Sequence, residues 1–323
     1  MKILVTGGCG YVGSQVTAHL LAEGHTVRVF DGLLYGAEPL LPFASHPKFE
    51  LVVGDVRKAD QLKAAMDGME ACVHFAAMVS EQACKAEPAY SWAVNHDAVK
   101  TISDLANGRL KKLIFISTCS NYGVSAPGVE ADEDAPLNPL SDYARAKVAA
   151  EKFLLEHSTV PAFTTLRFST ICGLSGRMRF DLLVNEIARE AVMGRPVQIY
   201  APQAWRPYLH AYDAARAVAT VLGAAPEQVH KKTFNIVSEN LRKIDLLDIA
   251  KKHVPNVKHT IVEKAPDLRD YQVSGARFEK AFNFKCTRTI EAAFVEVADA
   301  VKNGLFRDPD EVRHTALAYR LPV

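Results

Sequence analysis

The chain has 323 residues, 38 Lys and Arg against 37 Asp and Glu, and a formal net charge of +1 at pH 7. Hydrophobic residues make up 49% and charged residues 23%, enough apolar side chain for one or two cored domains, which excludes a disordered chain, a collagen-like repeat and a small disulfide scaffold. The balanced charge also argues against a nucleic-acid partner, which selects a basic face.

Short, nearly continuous apolar runs predict strands at Ile3–Thr6, Thr26–Phe30, Glu50–Val53, Ala71–Phe75, Leu113–Ser117 and Phe163–Phe168, as expected of parallel strands buried on both faces. Helical patterns lie between them at Tyr11–Ala22, Asp60–Met66, Tyr90–Ala106 and Asp142–His157. This alternation predicts an α/β fold with a Rossmann-type doubly wound parallel sheet. After Phe168 the rhythm changes. A helix near Asp181–Met193, a strand Val197–Tyr200, a loop, a helix Ala211–Leu222, a strand Thr233–Val237 and helices near Lys243–Lys252, Gly275–Ala281 and Ile290–Asn303 follow. The expected division is 1–168 for the cofactor domain, with a later return near 204–238. The remainder, 169–323, is mainly a smaller α/β substrate lobe with a cleft against the first domain.

No run approaches the ~18 apolar residues of a membrane span, so no membrane is expected. Glycines break the N-terminal apolar run before it could serve as a signal peptide. The six cysteines (Cys9, Cys72, Cys84, Cys119, Cys172, Cys286) are scattered without a CxxC pair. Neither a disulfide framework nor a metal site is expected, and a reducing cytoplasm fits.

Gly7, Gly10 and Gly13 stand in GxxGxxG spacing between a strand and a helix. Such glycines make a tight turn, let the backbone approach a pyrophosphate and let helix and strand pack closely. The helix start, with Tyr11 and Val12, offers N–H groups to phosphate. Asp31 lies 18 positions after Gly13. Its carboxylate suits the ribose hydroxyls and repels a 2′-phosphate, so NAD is favoured over NADP. Asp55 and Val56 end the third strand, where Asp55 is either an adenine contact or a turn aspartate. Tyr143 and Lys147, four apart, share one helix face. A neighbouring ammonium stabilises phenolate and brings tyrosine toward use as a base. The hydroxyl-rich strand end Ser117-Thr118-Cys119-Ser120 precedes them.

With these motifs the chain resembles the extended short-chain dehydrogenase/reductase family, in its NAD-dependent nucleotide-sugar epimerase/dehydratase branch. Thr6–Gly13, Asp31, Gly54-Asp55, His74-Phe75-Ala76-Ala77, Asn95, Ser117–Gly123, Tyr143 with Lys147, Leu166-Arg167-Phe168, Arg206–His210 and Arg269-Asp270 carry the resemblance over nearly the whole length. It implies NAD held by the glycine turn, Asp31, Asp55, Val56, Phe75, Ala76, Ala77, Asn95, Ser117, Tyr143 and Lys147. It also implies Tyr143 as base, Lys147 on the nicotinamide ribose and Thr118 on the reacting sugar hydroxyl. A nucleoside-diphosphate sugar, GDP- or UDP-linked, would occupy the second lobe, and the chain would pair as a homodimer through Tyr90–Ala106 and Asp142–His157.

Departures from the family pattern narrow the chemistry. Dehydratases of this branch follow the threonine with Asp and Glu, whereas Thr118 is followed by Cys119 and Ser120. The 3,5-epimerases place a base cysteine where Ser120 stands, and Cys119 is one position off. Hydride chemistry at C4 remains, with epimerisation as the leading outcome and net dehydrogenation or ketoreduction as the alternative. A non-catalytic NAD(H) sensor is the remote one, since sensors lose the Tyr/Lys pair. Ser175–Asn185 and Asp267–Tyr271 are similar to members acting at C4 of GDP-heptoses and related hexoses. Thr170 and Cys172 replace the Asn and Tyr of many 4-epimerases. Arg206 and Arg269 are diphosphate candidates, because guanidinium binds phosphate bidentately. Val79, Ser80, Glu81, Cys119, Ser120, Thr170, Arg179 and Asn185 complete the substrate candidates. His74 and His210 are read as structural.

Overall fold

The computed structural model describes residues 1–126, 128–263, 269–319 and 321. Seven strands, every neighbouring pair parallel, run in the order Lys232–Ile236, Ala162–Phe168, Lys112–Thr118, Ala71–His74, Lys2–Thr6, Thr26–Asp31, Phe49–Val53. All seven are strands the sequence predicts, each end within one residue. Side-chain alternation explains why they read as unbroken apolar runs. Ile3, Val5, Val27, Val29, Ile114 and Ile116 pack on one face beneath the helices Tyr11–Ala22 and Ala211–Gly223. Leu4, Phe30, Cys72, Leu113 and Phe115 pack on the other beneath Ala59–Met66, Ala98–Ala106 and Asp142–His157. With both faces covered, neither can be polar.

From Lys2–Thr6 the chain builds outward to Phe49–Val53, then crosses to the opposite side for Ala71–His74. This reversal of strand order opens a crevice over the carboxyl ends of the strands, where ligands of such sheets bind.

The stretch Tyr90–Ala106 is not one helix. It comprises Pro88–Trp92, a π-helical turn Ala93–Asp97 and Ala98–Ala106, preceded by a short helix Glu81–Ala86. Pro88 fits only at a helix start, and the wide turn carries Asn95 into the interior. Asp142–His157 has the expected ends, capped by Ser141 Oγ accepting from Ala144 N at 3.2 Å.

In the second half, Leu183–Val192, Lys243–His253 and Ile290–Lys302 enclose a separate core around Ile187, Ile199, Leu247, Phe294 and Val297. The expected loop before Ala211 instead contains a strand, Trp205–His210, central in a small sheet between Glu239–Arg242 and Thr170–Cys172. Pro207 disguises it. The parallel pairing with Thr170–Cys172 begins only at Tyr208, so Pro207 faces a ladder partner on one side alone, Asn240, and its missing N–H is tolerated. Among the described residues no helix is long and apolar enough to cross a membrane and no group of His, Cys, Asp or Glu is placed to hold a metal ion.

Candidate active site

A cleft of about 850 Å³ lies over the carboxyl ends of the strands. At its floor, Gly7 has φ +72°, and a Cβ there would come within 2.6 Å of Ala76 N. At Gly13 a Cβ would sit 2.2 Å from Gly7 O. Both positions exclude any side chain. In front of Gly10 a Cβ would meet only Gly7 O, at 3.2 Å, so the turn is open there. Gly10 starts the helix Tyr11–Ala22 with no side-chain cap and no acid in its first turn, which leaves N–H groups for an anion.

Asp31 accepts from Cys9 N at 2.9 Å and Leu33 N at 2.8 Å. Burial pushes its carboxyl up and these two N–H groups oppose the rise. A carboxylate has about four acceptor sites, so capacity remains for a diol. The open turn, the uncapped helix end and this acceptor fit a dinucleotide. Asp55 is committed elsewhere: Arg57 forks onto it at 2.8 and 2.5 Å, and Arg57 itself stacks 4.3 Å over Tyr90. Burial works to raise the Asp55 carboxyl, but the Arg57 hydrogen bonds outweigh it and leave the value lowered. Val56, Phe75, Ala76 and Ala77 line the wall with Asp55.

Two candidates support this wall without lining it. Asn95 is fully buried; its Oδ1 accepts from Met78 N and its Nδ2 donates to Met78 O, both at 2.9 Å. It therefore holds the segment leading to Val79 and Ser80. His74 Nδ1 lies 2.6 Å from Thr6 Oγ1, and burial and Lys147 keep its pKa well below the usual histidine range. It is neutral and structural.

Tyr143 and Lys147 face the cleft one helical turn apart, the Lys147 Nζ 5.9 Å from the Tyr143 ring centre and 4.6 Å from that of Phe115. Nζ donates to Ile116 O at 2.9 Å. Burial pulls the Lys147 ammonium from 10.5 to about 7 against the opposing pull of Glu151. Burial beside Met78, Ala83 and Cys84 pushes the Tyr143 phenol well up, with Arg179 opposing. Without a ligand, then, the phenol holds its proton. Thr118 Oγ1 accepts from Ser120 N at 3.1 Å, which caps the turn Cys119–Tyr122 and sets the hydroxyl in the wall. Ser117 also lines the cleft and donates to Glu151.

Behind these residues lies a buried network to which the sequence assigned no role. Arg167 binds Glu151 through Nη2 at 2.6 Å and Nε at 3.1 Å. Arg167 Nη1 reaches Tyr122 OH at 2.8 Å, and Asn121 Nδ2 donates to Glu151 at 2.8 Å. Glu151 lies one turn beyond Lys147, so the network anchors the helix Asp142–His157 to the strand ends.

Of the substrate candidates, Val79, Ser80, Glu81, Ser120, Thr170, Arg179, Arg206 and Arg269 all line the cleft. Ser80 caps Glu81–Ala86, and Glu81 pairs with Lys85 at 2.8 Å. Arg179 forks onto Asp181 at 3.0 and 2.6 Å. Arg206 donates to Trp205 O at 2.7 Å, and Arg269 reaches Ser120 Oγ at 3.5 Å. Asp267 and Leu268 lie outside the described residues. Two candidates turn away. Cys119 is fully buried with Sγ on Arg167 O at 3.3 Å, and burial drives its thiol far above the usual range. Asn185 is likewise buried, its amide spent on Gly173 N, Tyr11 OH and Arg179 O at 2.9, 3.0 and 2.9 Å. It ties the helix Leu183–Val192 to the glycine turn. His210 pairs with Glu296 at 2.8 Å. Tyr35, Arg177, Glu186 and Lys243 line the cleft unforeseen; local spacing alone does not show that their segments converge.

Residues 3–237 match the model of the NAD dependent epimerase/dehydratase family. The chain is 29% identical over 256 residues to a UDP-glucose 4-epimerase of Corynebacterium glutamicum, covering 74% of this chain and 75% of that protein. It is 31% identical over 243 residues to a 3 beta-hydroxysteroid dehydrogenase/Delta 5-->4-isomerase of Mycobacterium tuberculosis, covering 71% and 64%. The dTDP-glucose 4,6-dehydratase of Bacillus anthracis, solved with NAD, superposes with a TM-score of 0.83 at 22% identity, covering 95% of this chain and 98% of that one.

Proposed function

The chain belongs to the NAD-dependent epimerase/dehydratase family, and on that premise we propose that it epimerises a nucleoside-diphosphate sugar through transient oxidation at C4. The observation that carries the reading is the convergence of Tyr143, Lys147 and Thr118 on one cleft beside the open glycine turn. The glycine turn, Asp31 and Lys147 would hold NAD, which supplies a hydride acceptor when bound. Thr118 positions the sugar hydroxyl. Tyr143 removes its proton, and Lys147 stabilises the phenolate that does so. Arg206 and Arg269 would take the diphosphate of a GDP- or UDP-linked sugar.

Two features support epimerisation over the other chemistries of the family. Water elimination needs an acid and a base beyond Thr118, and there Cys119 faces the interior while Ser120 is a neutral hydroxyl. A steroid carries no phosphate for the cleft arginines to bind. Net C4 dehydrogenation is the second reading, favoured by Thr170 and by Cys172, which is buried with Sγ toward Leu209 O and cannot hold a sugar as a tyrosine would.

The test is incubation with a panel of UDP-, GDP- and dTDP-sugars. Inversion at C4 without net NADH supports the epimerase; accumulating NADH with a 4-keto product selects the dehydrogenase. Tyr143→Phe should cost about 10²–10⁴ in turnover; undiminished turnover refutes its assignment as base. A homodimer through the faces of Pro88–Ala106 and Asp142–His157 belongs to the same reading. Trp92 is 42% exposed there and Lys100 covers Phe153. Light scattering showing a monomer at micromolar concentration rejects it.

A further inference from the structure

Three stretches distant in sequence meet at Arg177. The turn after Thr26–Asp31 brings Tyr35, the segment before Leu183–Val192 brings Arg177, and the C-terminal stretch brings Thr315 and Ala316. The guanidinium stacks on Tyr35, its carbon 3.9 Å from the ring centre. Nη2 donates to Thr315 O at 2.7 Å, and Tyr35 OH donates to Ala316 O at 3.0 Å. Arg177 is 5% exposed, yet it lines the cleft together with Tyr35 and Ala316.

This cation is fixed in place but not neutralised. Nε is buried with no acceptor among the described residues. The nearby acid, Asp181, is taken by the Arg179 fork and also accepts from Ala316 N at 3.1 Å. Burial and the neighbouring Arg179 draw the Arg177 pKa down to about 10, so it remains charged at neutral pH. A buried charge without a counter-charge is costly unless a ligand supplies one, and a planar guanidinium stacked on an aromatic ring is preorganised for phosphate.

We propose that Arg177 is an anion-binding residue of the cleft that takes a phosphate oxygen of a bound nucleotide, with Tyr35 setting the plane of its guanidinium and Thr315 O its rotation. The proposal rests on the reading of the cleft as a dinucleotide and nucleotide-sugar site. Two sources could present the phosphate: the dinucleotide, or the nucleoside diphosphate of the sugar.

Calorimetric titration of wild type and Arg177→Met with NAD, and separately with UDP and GDP, distinguishes them, with adenosine, uridine and guanosine as phosphate-free controls. The variant is expected to lose about tenfold or more in affinity for one phosphate ligand while affinity for its nucleoside holds. Loss confined to NAD assigns the dinucleotide, and loss confined to UDP or GDP assigns the sugar nucleotide. Equal affinities in variant and wild type overturn the Arg177 subsite alone; a wild type that binds none of the three overturns the functional reading with it. Should Arg177→Met fail to fold, Arg177→Lys keeps a cation without the planar fork. NAD, or UDP or GDP, must then bind at least threefold more weakly than to wild type, and unchanged affinity for all three overturns the proposal.

Discussion

The role proposed for Lys147 sets catalysis against stability in a way that can be measured. It is 1% exposed, with Ile116 O as its hydrogen-bond partner and the rings of Phe115 and Tyr143 beside it. Its charged and titratable neighbours are Glu151, which favours the ammonium, and His74, which is held neutral. The drop from 10.5 to about 7, at about 1.4 kcal/mol per pK unit, corresponds to about 5 kcal/mol of burial cost. Below about pH 7 the lysine is charged folded and unfolded, and the full cost applies. Between about 7 and 10.5 the unfolded chain keeps a proton that the folded chain has released, so wild-type stability rises with pH; above that range the cost is gone. Lys147→Met, close in volume, removes the cost and the charge together. Denaturant unfolding at pH 6 should therefore show the variant more stable than wild type by up to about 5 kcal/mol, less what the lost Ile116 bond returns. The gap should shrink steadily toward pH 10, and turnover should collapse at every pH. A gap that does not vary with pH, or a variant less stable at pH 6, would refute the burial argument.

Other substitutions separate support from contact. Glu151→Gln leaves the Arg167 guanidinium buried without its carboxylate and should cost about 3–5 kcal/mol in urea unfolding, whereas replacing both residues by Met should recover much of that loss. Asn95→Ala strands the Met78 N–H and leaves the Met78 C=O with only the Cys84 thiol, and should cost about 1–3 kcal/mol; a large change in NAD affinity at unchanged stability would instead make Asn95 a direct contact. Gly10→Ala, with its nearest neighbour at 3.2 Å, should keep the melting temperature within a few degrees while NAD affinity, read by fluorescence quenching, falls about tenfold. Gly13→Ala, whose Cβ would lie 2.2 Å from a backbone oxygen, should damage folding itself, so a well-folded Gly13→Ala variant would contradict the packing described.

The cofactor side of the site was legible because its determinants are local. A strand, a glycine turn, a helix and one carboxylate at the next strand end are read from consecutive residues, and buried parallel strands announce themselves as apolar runs. The proposed sugar side was less legible because its wall comes from residues 79–81, 118, 120, 170, 177, 179, 181–183, 186, 206 and 269, and only the three-dimensional path brings them together. Asn95 and Asn185 show why motif membership misleads about contact. Both occupy positions that the family resemblance makes prominent, yet each amide is consumed by backbone or side-chain partners inside the protein. A buried asparagine that ties two segments is as tightly specified as one that touches a ligand, and the sequence does not distinguish them. Cys119 failed as a candidate for a simpler reason. The strand ends at Thr118, and Cys119 opens the helical turn Cys119–Tyr122, whose path takes its thiol onto Arg167 O instead of into the cleft.

Charge compensation orders the arginines around the cleft more sharply than their number does. Arg57 and Arg179 already hold a carboxylate in a two-pronged contact, through Asp55 and Asp181, so an incoming phosphate must compete with an acceptor of the same charge. Arg167 is closed off behind the wall by Glu151. These three set shape: they fix the loop after Phe49–Val53, the approach to Leu183–Val192 and the helix Asp142–His157. Arg177 differs in being held by an aromatic face and a carbonyl, neither of which cancels its charge. A net charge of +1 therefore does not describe the cleft, whose lining cations differ in how far the chain itself compensates them. At Arg177 the chain supplies orientation without a carboxylate partner among the described residues, and the proposed anion subsite rests on that arrangement.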